Sequence, residues 1–282
     1  MNTVTLDELL RKALQEDIGF GDVTSEAIFP EKHASQGLLI AKQDLVLAGI
    51  HVFGRVFALL DAQVKIMPCF TEGALVSKGE NIASFSGNTR SLLAGERVAL
   101  NLLQRMCGIA THTRHCAEAV NGFSTIVVDT RKTTPGLRMI EKYAVTVGGG
   151  KNHRYGLDSM ILIKDNHIQG AGSIGAAVER VRTYGTTFRK IEVEVETLQQ
   201  VQEALAAKVD IILLDNMDIE LVKQAVTMIN GKALIEASGN IGLENIAALA
   251  AAGVDIISSG QLTHSVKAAD ISMRFYDAAA NG

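Results

Sequence analysis

Six short β-rich runs in the second half of this 282-residue chain constrain its fold more than any other feature, because each stops abruptly at polar residues. They are Thr125 to Asp129, Met160 to Lys164, Ile191 to Glu196, Ile211 to Asp215, Ala233 to Ala237 and Asp255 to Ser258. Val, Ile and Leu dominate them, as expected of strands buried on both faces of a parallel sheet. Helix-like segments follow in turn: Arg138 to Val147, Ser173 to Tyr184, Leu198 to Lys208, Ile219 to Ile229, Leu243 to Ala251, and a short one from Thr263. The last four strands recur at intervals of roughly 20 residues, which suits a compact βα barrel with short connections. In such a barrel the ligand site lies at the C-terminal ends of the strands.

The first hundred residues read differently. Thr5-Leu6-Asp7-Glu8 has the form of a capping box, and the apolar spacing after it predicts a helix to about Glu16, broken by Gly19 and Gly21. Strands are expected at Gly37 to Ala41, Leu45 to Leu47, Val64 to Met67, Ala74 to Val76 and Asn81 to Phe85, with a helix over Ile50 to Leu60. A further helix over Thr89 to Met106 is punctuated by Gly108. These elements predict an α/β domain over residues 1–108 with an antiparallel sheet, and a barrel domain over 109–269. In the tail, 270–282, Ile271, Met273 and Phe275 alternate with Ser272, Arg274 and Tyr276, which predicts a half-buried strand returning to the first sheet.

With 47% hydrophobic residues the chain has ample material for a core. A formal net charge of −4 and a pI near 6.0 give no global basic field, so nucleic acid is not an expected partner. Three cysteines, Cys69, Cys107 and Cys116, are odd in number and unpaired in spacing, which favours a reducing compartment, the cytoplasm. No signal core opens the sequence and no apolar run reaches the roughly 18 residues of a spanning helix, so no membrane association is expected.

The residues that follow the strands form a gradient of charge. Thr130, Arg131 and Lys132 follow the first, and Lys164, Asp165, Asn166 and His167 the second, with His153 and Arg154 between them. Glu194 and Glu196, then Asp215 and Asn216, follow the middle two; Ser238, Gly239, Asn240 and Ser259, Gly260, Gln261 follow the last two. Any one such strand end can be a solvated loop, but six at one rim point to an active site. Arginine and lysine bind carboxylates and phosphates through charge-assisted bonds. Backbone N–H groups beside Gly239 and Gly260 suit a phosphate. Glu194 and Asp215 offer the hard oxygens that bind Mg²⁺ alongside substrate phosphates. A phosphorylated substrate, a metal and a carboxylate-bearing second substrate would together use all three regions.

Other patterns point elsewhere. Gly170 to Gly175 satisfies GxGxxG with Glu192 about 20 residues on, but does not follow its strand directly as a dinucleotide motif must. His112, His115 and Cys116 lack a second ligand pair and read as a helix surface. Gly148-Gly149-Gly150-Lys151 lacks Walker spacing and reads as a turn. Lys164 at a strand end could also form a Schiff base in aldolase-type chemistry. A non-catalytic protein that binds a phosphometabolite would present the same rim.

The runs DTRKTTPGLR, EKYAV, GGGKNHRYGL and LIKDNH, with GERVALNLLQRMCGIAT, IEVEVE, LLDN, EASGNI and SSGQLTHS, resemble the quinolinate phosphoribosyltransferases over nearly the whole chain. A related group tied to molybdenum transport shares the fold but differs around the TRKTTPG and NHR segments. The resemblance implies an N-terminal α/β sandwich domain and a C-terminal open α/β barrel, assembled as a dimer or hexamer. It implies transfer from phosphoribosyl pyrophosphate to quinolinate with decarboxylation, and Mg²⁺ as cofactor. Arg131, Lys132, His153, Arg154 and Lys164, with Thr130 beside them, would surround quinolinate and the phosphoribosyl group. Arg97 would enter the neighbouring subunit's site. Glu194 and Asp215 would hold the ribose or its metal, and Ser238, Gly239, Asn240, Ser259, Gly260 and Gln261 the 5′-phosphate. Of these, Lys132, Lys164, Glu194 and Asp215 would be catalytic. Gln261 stands where such enzymes often carry a small residue, so its backbone rather than its side chain would serve.

Overall fold

The computed structural model describes residues 1–185 and 188–276; the end of the expected tail, 277–282, lies outside them. The described residues form two compact units, one of Met1–Arg114, Thr134–Gly149 and the segment from Val266 on, the other of His115–Thr133 and Gly150–Ser265.

Helix α1 (Thr3–Ile18) begins two residues before the expected capping box, because Asn2 Oδ1 accepts the N–H groups of Val4 and Thr5. A short helix α2 (Val23–Ile28), not foreseen from the sequence, starts where Asp22 accepts the Ser25 N–H. Strands β1 (Ala34–Ala41) and β2 (Leu45–Val46) follow, then α3 (Ile50–Leu60), which coincides with its predicted range. Gly49 starts α3 in a left-handed conformation with no cap of its own; the Glu72 carboxylate accepts the Gly49 and Ile50 N–H groups instead. After β3 (Lys65–Pro68), β4 (Leu75–Val76) and β5 (Asn81–Asn88) comes α4 (Thr89–Ala119). Gly108 does not end α4 as the sequence suggested. A Cβ there would meet the Lys267 carbonyl oxygen at 2.2 Å, so this glycine serves a close approach rather than a break.

In the other unit, six strands lie in the order β6-β11-β10-β9-β8-β7, every neighbouring pair parallel. These are β6 (Ile126–Val128), β7 (Ile161–Ile163), β8 (Ile191–Val195), β9 (Ile211–Asp215), β10 (Leu234–Ser238) and β11 (Ile256–Ser258). The two edges, β6 and β7, are consecutive in sequence, and the chain between them contains Thr134–Gly149, which groups with the first unit. The sequence assigned that segment to the barrel. Helix α5 (Arg138–Val147) within it carries the buried Glu141, which accepts from Arg105 Nε at 2.6 Å and from the Thr134 N–H at 3.1 Å. Helices α6 (Asp165–Ala171) and α7 (Ile174–Thr183) follow β7, α8 (Leu198–Ala206) follows β8, and α9 (Ile219–Ile229) follows β9. Helices α10 (Ile246–Ala251) and α11 (Gln261–His264) follow β10 and β11. Helix α8 packs on β8, α9 on β10 and α10 on β11, and their inward residues Val201, Val222 and Leu249 are buried.

GxGxxG here spans the joint between α6 and α7, where Ser173 caps α7, so the glycines end one helix and begin the next. His112, His115 and Cys116 all lie on α4, with Cys116 buried rather than on a helix surface. Among the described residues no helix is long and apolar enough to cross a membrane.

Strand β12 (Ile271–Tyr276) pairs antiparallel with β1, completing a sheet in the order β12-β1-β5-β3. Phe275 packs edge-on against Phe85 of β5 at 5.1 Å across Gly37 of β1. A Cβ on Gly37 would lie 2.1 Å from the Arg274 carbonyl oxygen and 2.3 Å from the Phe85 ring. Gly37→Ala is expected to destabilise this unit by about 1–3 kcal/mol, the usual cost of overpacking. Denaturant unfolding checks this, and an unchanged midpoint would mean that the sheet relaxes around the methyl group.

Candidate active site

Side chains at positions i and i+2 of a strand share a face. On β8, β9 and β10 this parity stacks Glu192 below Glu194, Leu213 below Asp215 and Glu236 below Ser238. The upper members line a cavity of about 610 Å³ at the C-terminal ends of the strands, together with Leu213 and Glu236. Of the residues nominated through the family resemblance, all but Arg97 line it: Thr130, Arg131, Lys132, His153, Arg154 and Lys164 from the β6 and β7 side, then Glu194 and Asp215, then Ser238 to Asn240 and Ser259 to Gln261. The strand-end residues Asp165, Asn166, His167 and Glu196 do not. Arg97 is exposed on α4 in the first unit. Glu196 is also exposed; β8 stops at Val195, and the Glu196 N–H donates to Gln200 in the capping of α8.

The cations are held by local bonding. Asp129, fully buried at the end of β6, accepts the His153 N–H at 2.9 Å. Lys132 is placed from both sides, its N–H donating to Thr130 Oγ1 at 3.0 Å and its carbonyl accepting from Thr263 Oγ1 at 2.8 Å. A Cβ on Gly260 would come within 2.9 Å of the Lys132 and His264 side chains, so the glycine leaves room for both where they now lie. The Arg154 guanidinium donates to the Met160 carbonyl at 3.3 Å. Burial and the nearby Arg131 lower its pKa, while Glu192 and Glu194 pull it back up. Lys164 Nζ donates to Glu194 Oε2. This ion pair ties up the amine that a Schiff-base mechanism would need free and uncharged. His167 accepts the Lys164 N–H on its Nδ1 at 3.0 Å, so it caps α6.

Beneath these groups lies a layer that the sequence reading missed. His153 Nε2 stands 3.3 Å from both Glu192 Oε2 and Glu236 Oε2, with both glutamates essentially buried. Among the described residues this trio is the cluster in which three metal-ligating atoms converge, all within 4.8 Å. The signal was present: a glutamate two residues before a rim residue, in IEVEV and in LIEAS, faces the same way one layer deeper. His264 also lines the cavity and was not singled out, because α11 is too short to show a period.

Charge in the trio is finely balanced. Burial works to lower the His153 pKa, but the hydrogen bonds and charges of Glu192 and Glu236 outweigh it and push it up to about 9. Burial pushes Glu192 up to about 7 against the pull of His153. The Arg154 N–H points at His153 Nδ1 from 2.8 Å and favours a ring unprotonated there. That contact opposes the imidazolium, and protonation of Glu192 answers the same demand.

The oxygen donors that could hold Mg²⁺ at the rim are Glu194 and Asp215, which both line the cavity. Glu194 is engaged by Lys164, and Asp215 Oδ2 accepts from Asn216 Nδ2 at 2.8 Å. Both present oxygen donors to the cavity, the donor type this hard cation takes. The His153 trio includes a nitrogen and its carboxylates are buried at the floor of the cavity, so it fits Mg²⁺ less well.

Comparison with known proteins covers nearly all of the chain. Residues 109–274 match the family described as quinolinate phosphoribosyl transferase, C-terminal domain, and residues 22–107 match the corresponding N-terminal domain. The chain is 45% identical over 273 residues to the probable nicotinate-nucleotide pyrophosphorylase (carboxylating) of Bacillus subtilis (strain 168), covering 97% of this chain and 94% of that one. It is 42% identical over 291 residues to a mitochondrial quinolinate phosphoribosyltransferase (decarboxylating) of Nicotiana tabacum, covering 96% and 82%. Among solved structures, NadC from Streptococcus pyogenes superposes with a TM-score of 0.94 at 45% identity over 98% of this chain and 99% of that one. The nicotinate-nucleotide pyrophosphorylase of Pyrococcus furiosus, 17% identical with a TM-score of 0.68, shares the fold.

The trio generates a pH dependence. Both His153 and Glu192 have folded-state pKa values above their ordinary ones. Their contribution to stability is therefore complete below the ordinary values and is lost as pH rises through about 7 for Glu192 and about 9 for His153. Tm is expected to fall as pH is raised across that window, and to fall less steeply in Glu192→Gln. Thermal unfolding across the range checks this; parallel slopes for the two proteins would refute it.

Proposed function

The chain belongs to the quinolinate phosphoribosyltransferase family, and from that membership we propose that the strand-end cavity seats a pyridine dicarboxylate against an activated ribose. The enzyme transfers the phosphoribosyl group of phosphoribosyl pyrophosphate to quinolinate with loss of CO₂, forming nicotinate mononucleotide and pyrophosphate in NAD biosynthesis. The observation that carries the substrate placement is the gradient across one cavity, from Arg131, Lys132, Arg154 and Lys164, through Glu194 and Asp215, to the glycine-containing loops at Ser238–Asn240 and Ser259–Gln261.

In this reading Arg131 and Arg154 clamp the two carboxylates of quinolinate, with Lys132 and Lys164 beside them. Thr130 and His153 complete that end, His153 by holding the Arg154 main chain. The 5′-phosphate sits at Ser238, Gly239, Asn240, Ser259, Gly260 and Gln261, where backbone N–H groups and close-approach glycines suit it. The pyridine nitrogen attacks C1 of the ribose as pyrophosphate leaves, and positive charge develops on the sugar. Glu194 and Asp215 favour that charge, and the lysines favour the departing anion. Mg²⁺, held by Glu194 and Asp215 mainly through substrate phosphates, would supply further neutralisation of the pyrophosphate. Once glycosylated, the ring nitrogen is cationic and accepts the electron pair released when the C2 carboxylate departs as CO₂; C2 then takes up a proton.

The reading includes a homo-oligomer, a dimer or a hexamer, in which Arg97 of one subunit completes the site of another. It also includes the cytoplasm as the place of action, in keeping with cysteines that form no disulfide among the described residues.

Incubation with quinolinate, phosphoribosyl pyrophosphate and Mg²⁺ is expected to yield nicotinate mononucleotide, and no product would refute the reading. Arg154→Lys keeps the charge but loses the planar fork, so kcat/KM for quinolinate is expected to fall about tenfold or more, given roughly 1.5–3 kcal/mol per charge-assisted bond. Mixing inactive Arg97→Ala subunits with inactive Lys164→Ala subunits is expected to restore part of the activity; none after confirmed subunit exchange would remove Arg97 from the site.

A further inference from the structure

Strand β9 ends at Asp215, and the next residue, Asn216, has φ +53°. A non-glycine residue in this left-handed region is strained unless its surroundings hold it, and asparagine tolerates it best. Asn216 is held at several points. Its main-chain N–H donates to the Ser238 carbonyl at 3.0 Å, and its Nδ2 donates to Asp215 Oδ2 at 2.8 Å. Its Oδ1 accepts from Asn240 Nδ2 at 3.5 Å and lies so close over Gly239 that a Cβ there would meet it at 2.2 Å. The amide orientation follows from its neighbours, since an oxygen turned towards Asp215 would face a carboxylate. Gly239 and Asn240 have φ +92° and +48°, so the loop that receives Asn216 is built from the same left-handed conformation.

One side chain thus touches both the acidic end of β9 and the loop after β10, and Asp215, Asn216, Gly239 and Asn240 all line the same cavity. We propose that Asn216 is a positioning residue for the phosphoribosyl half of the site, aiming the Asp215 carboxylate and setting its distance from the Ser238–Asn240 loop. The inference rests on the placement of phosphoribosyl pyrophosphate given above. A turn-forming asparagine needs only its backbone conformation, whereas a positioning asparagine needs its amide. The two roles separate by substitution.

Asn216→Gly preserves the left-handed backbone without strain and deletes the amide. It is expected to raise the KM for phosphoribosyl pyrophosphate and lower kcat, each about tenfold, as misplacement of reacting groups does. The KM for quinolinate should stay within about twofold and Tm close to wild type. Asn216→Asp keeps the shape and the tolerance of positive φ but cannot donate to Asp215, and should show the same kinetic loss. Asn216→Ala should add a lowered Tm to it. Wild-type kinetics in Asn216→Gly would overturn the proposal and leave Asn216 a turn-former. An equal rise in the KM for both substrates would also overturn it. Asp215→Asn separates the two levels of argument. Wild-type kinetics there would overturn the substrate placement itself, whereas a loss there beside an unaffected Asn216→Gly would overturn the positioning role alone.

Discussion

Charge compensation inside the parallel sheet is the constraint on which the rest of the structure depends. Two glutamates, Glu192 and Glu236, point into the interior of a sheet built mainly from Val, Ile and Leu, and both are essentially buried. A buried carboxylate is costly unless it is neutralised or paired. His153 supplies the pairing, and Asp129 at the end of β6 fixes the main chain of His153 in return. The segment that crosses from β6 to β7 is therefore anchored on both sides, and Arg154 comes to the cavity next to an anchored residue. The acid layer beneath thus locates the cations above it.

The same logic explains why the rim divides into three regions. Strands β8 and β9 end in carboxylates; Lys164 answers the first and Asn216 the second. Strands β10 and β11 end in serine and glycine, where the backbone itself becomes the recognition surface. Gly239 is required there by its positive φ and the close approach of Asn216, and Gly260 leaves room for the side chains of Lys132 and His264. A substrate with carboxylates at one end and a phosphate at the other fits this division. The established reaction of the family joins two molecules that carry those groups.

Much of the fold was legible because it follows from local periodicity. The predicted ranges of α3, α5, α9 and β9 coincide with the observed ones, and β10 is displaced by a single residue. Apolar runs that stop at charge mark strand ends even in a single sequence, which is why the rim residues could be named. Misreadings arose where a glycine or a short helix served tertiary contact. Gly108 looks like a helix stop but accommodates the Lys267 carbonyl, and α6 hides in a glycine-containing run. Arg97 was named from resemblance alone, and nothing in its helical spacing distinguishes it from a surface charge.

By itself the sequence determined the alternation of strands and helices, the polar rim and its order of charges, because these depend on residues close together in the chain. Only the tertiary structure decided which strands lie at the sheet's edges, how Glu192 and Glu236 meet at His153, and how Asn216 reaches across to the loop of a neighbouring strand. Those contacts join residues 24 to 83 positions apart, and the distances that make them, 3.3 to 3.5 Å, are set by strand register and backbone conformation rather than by composition.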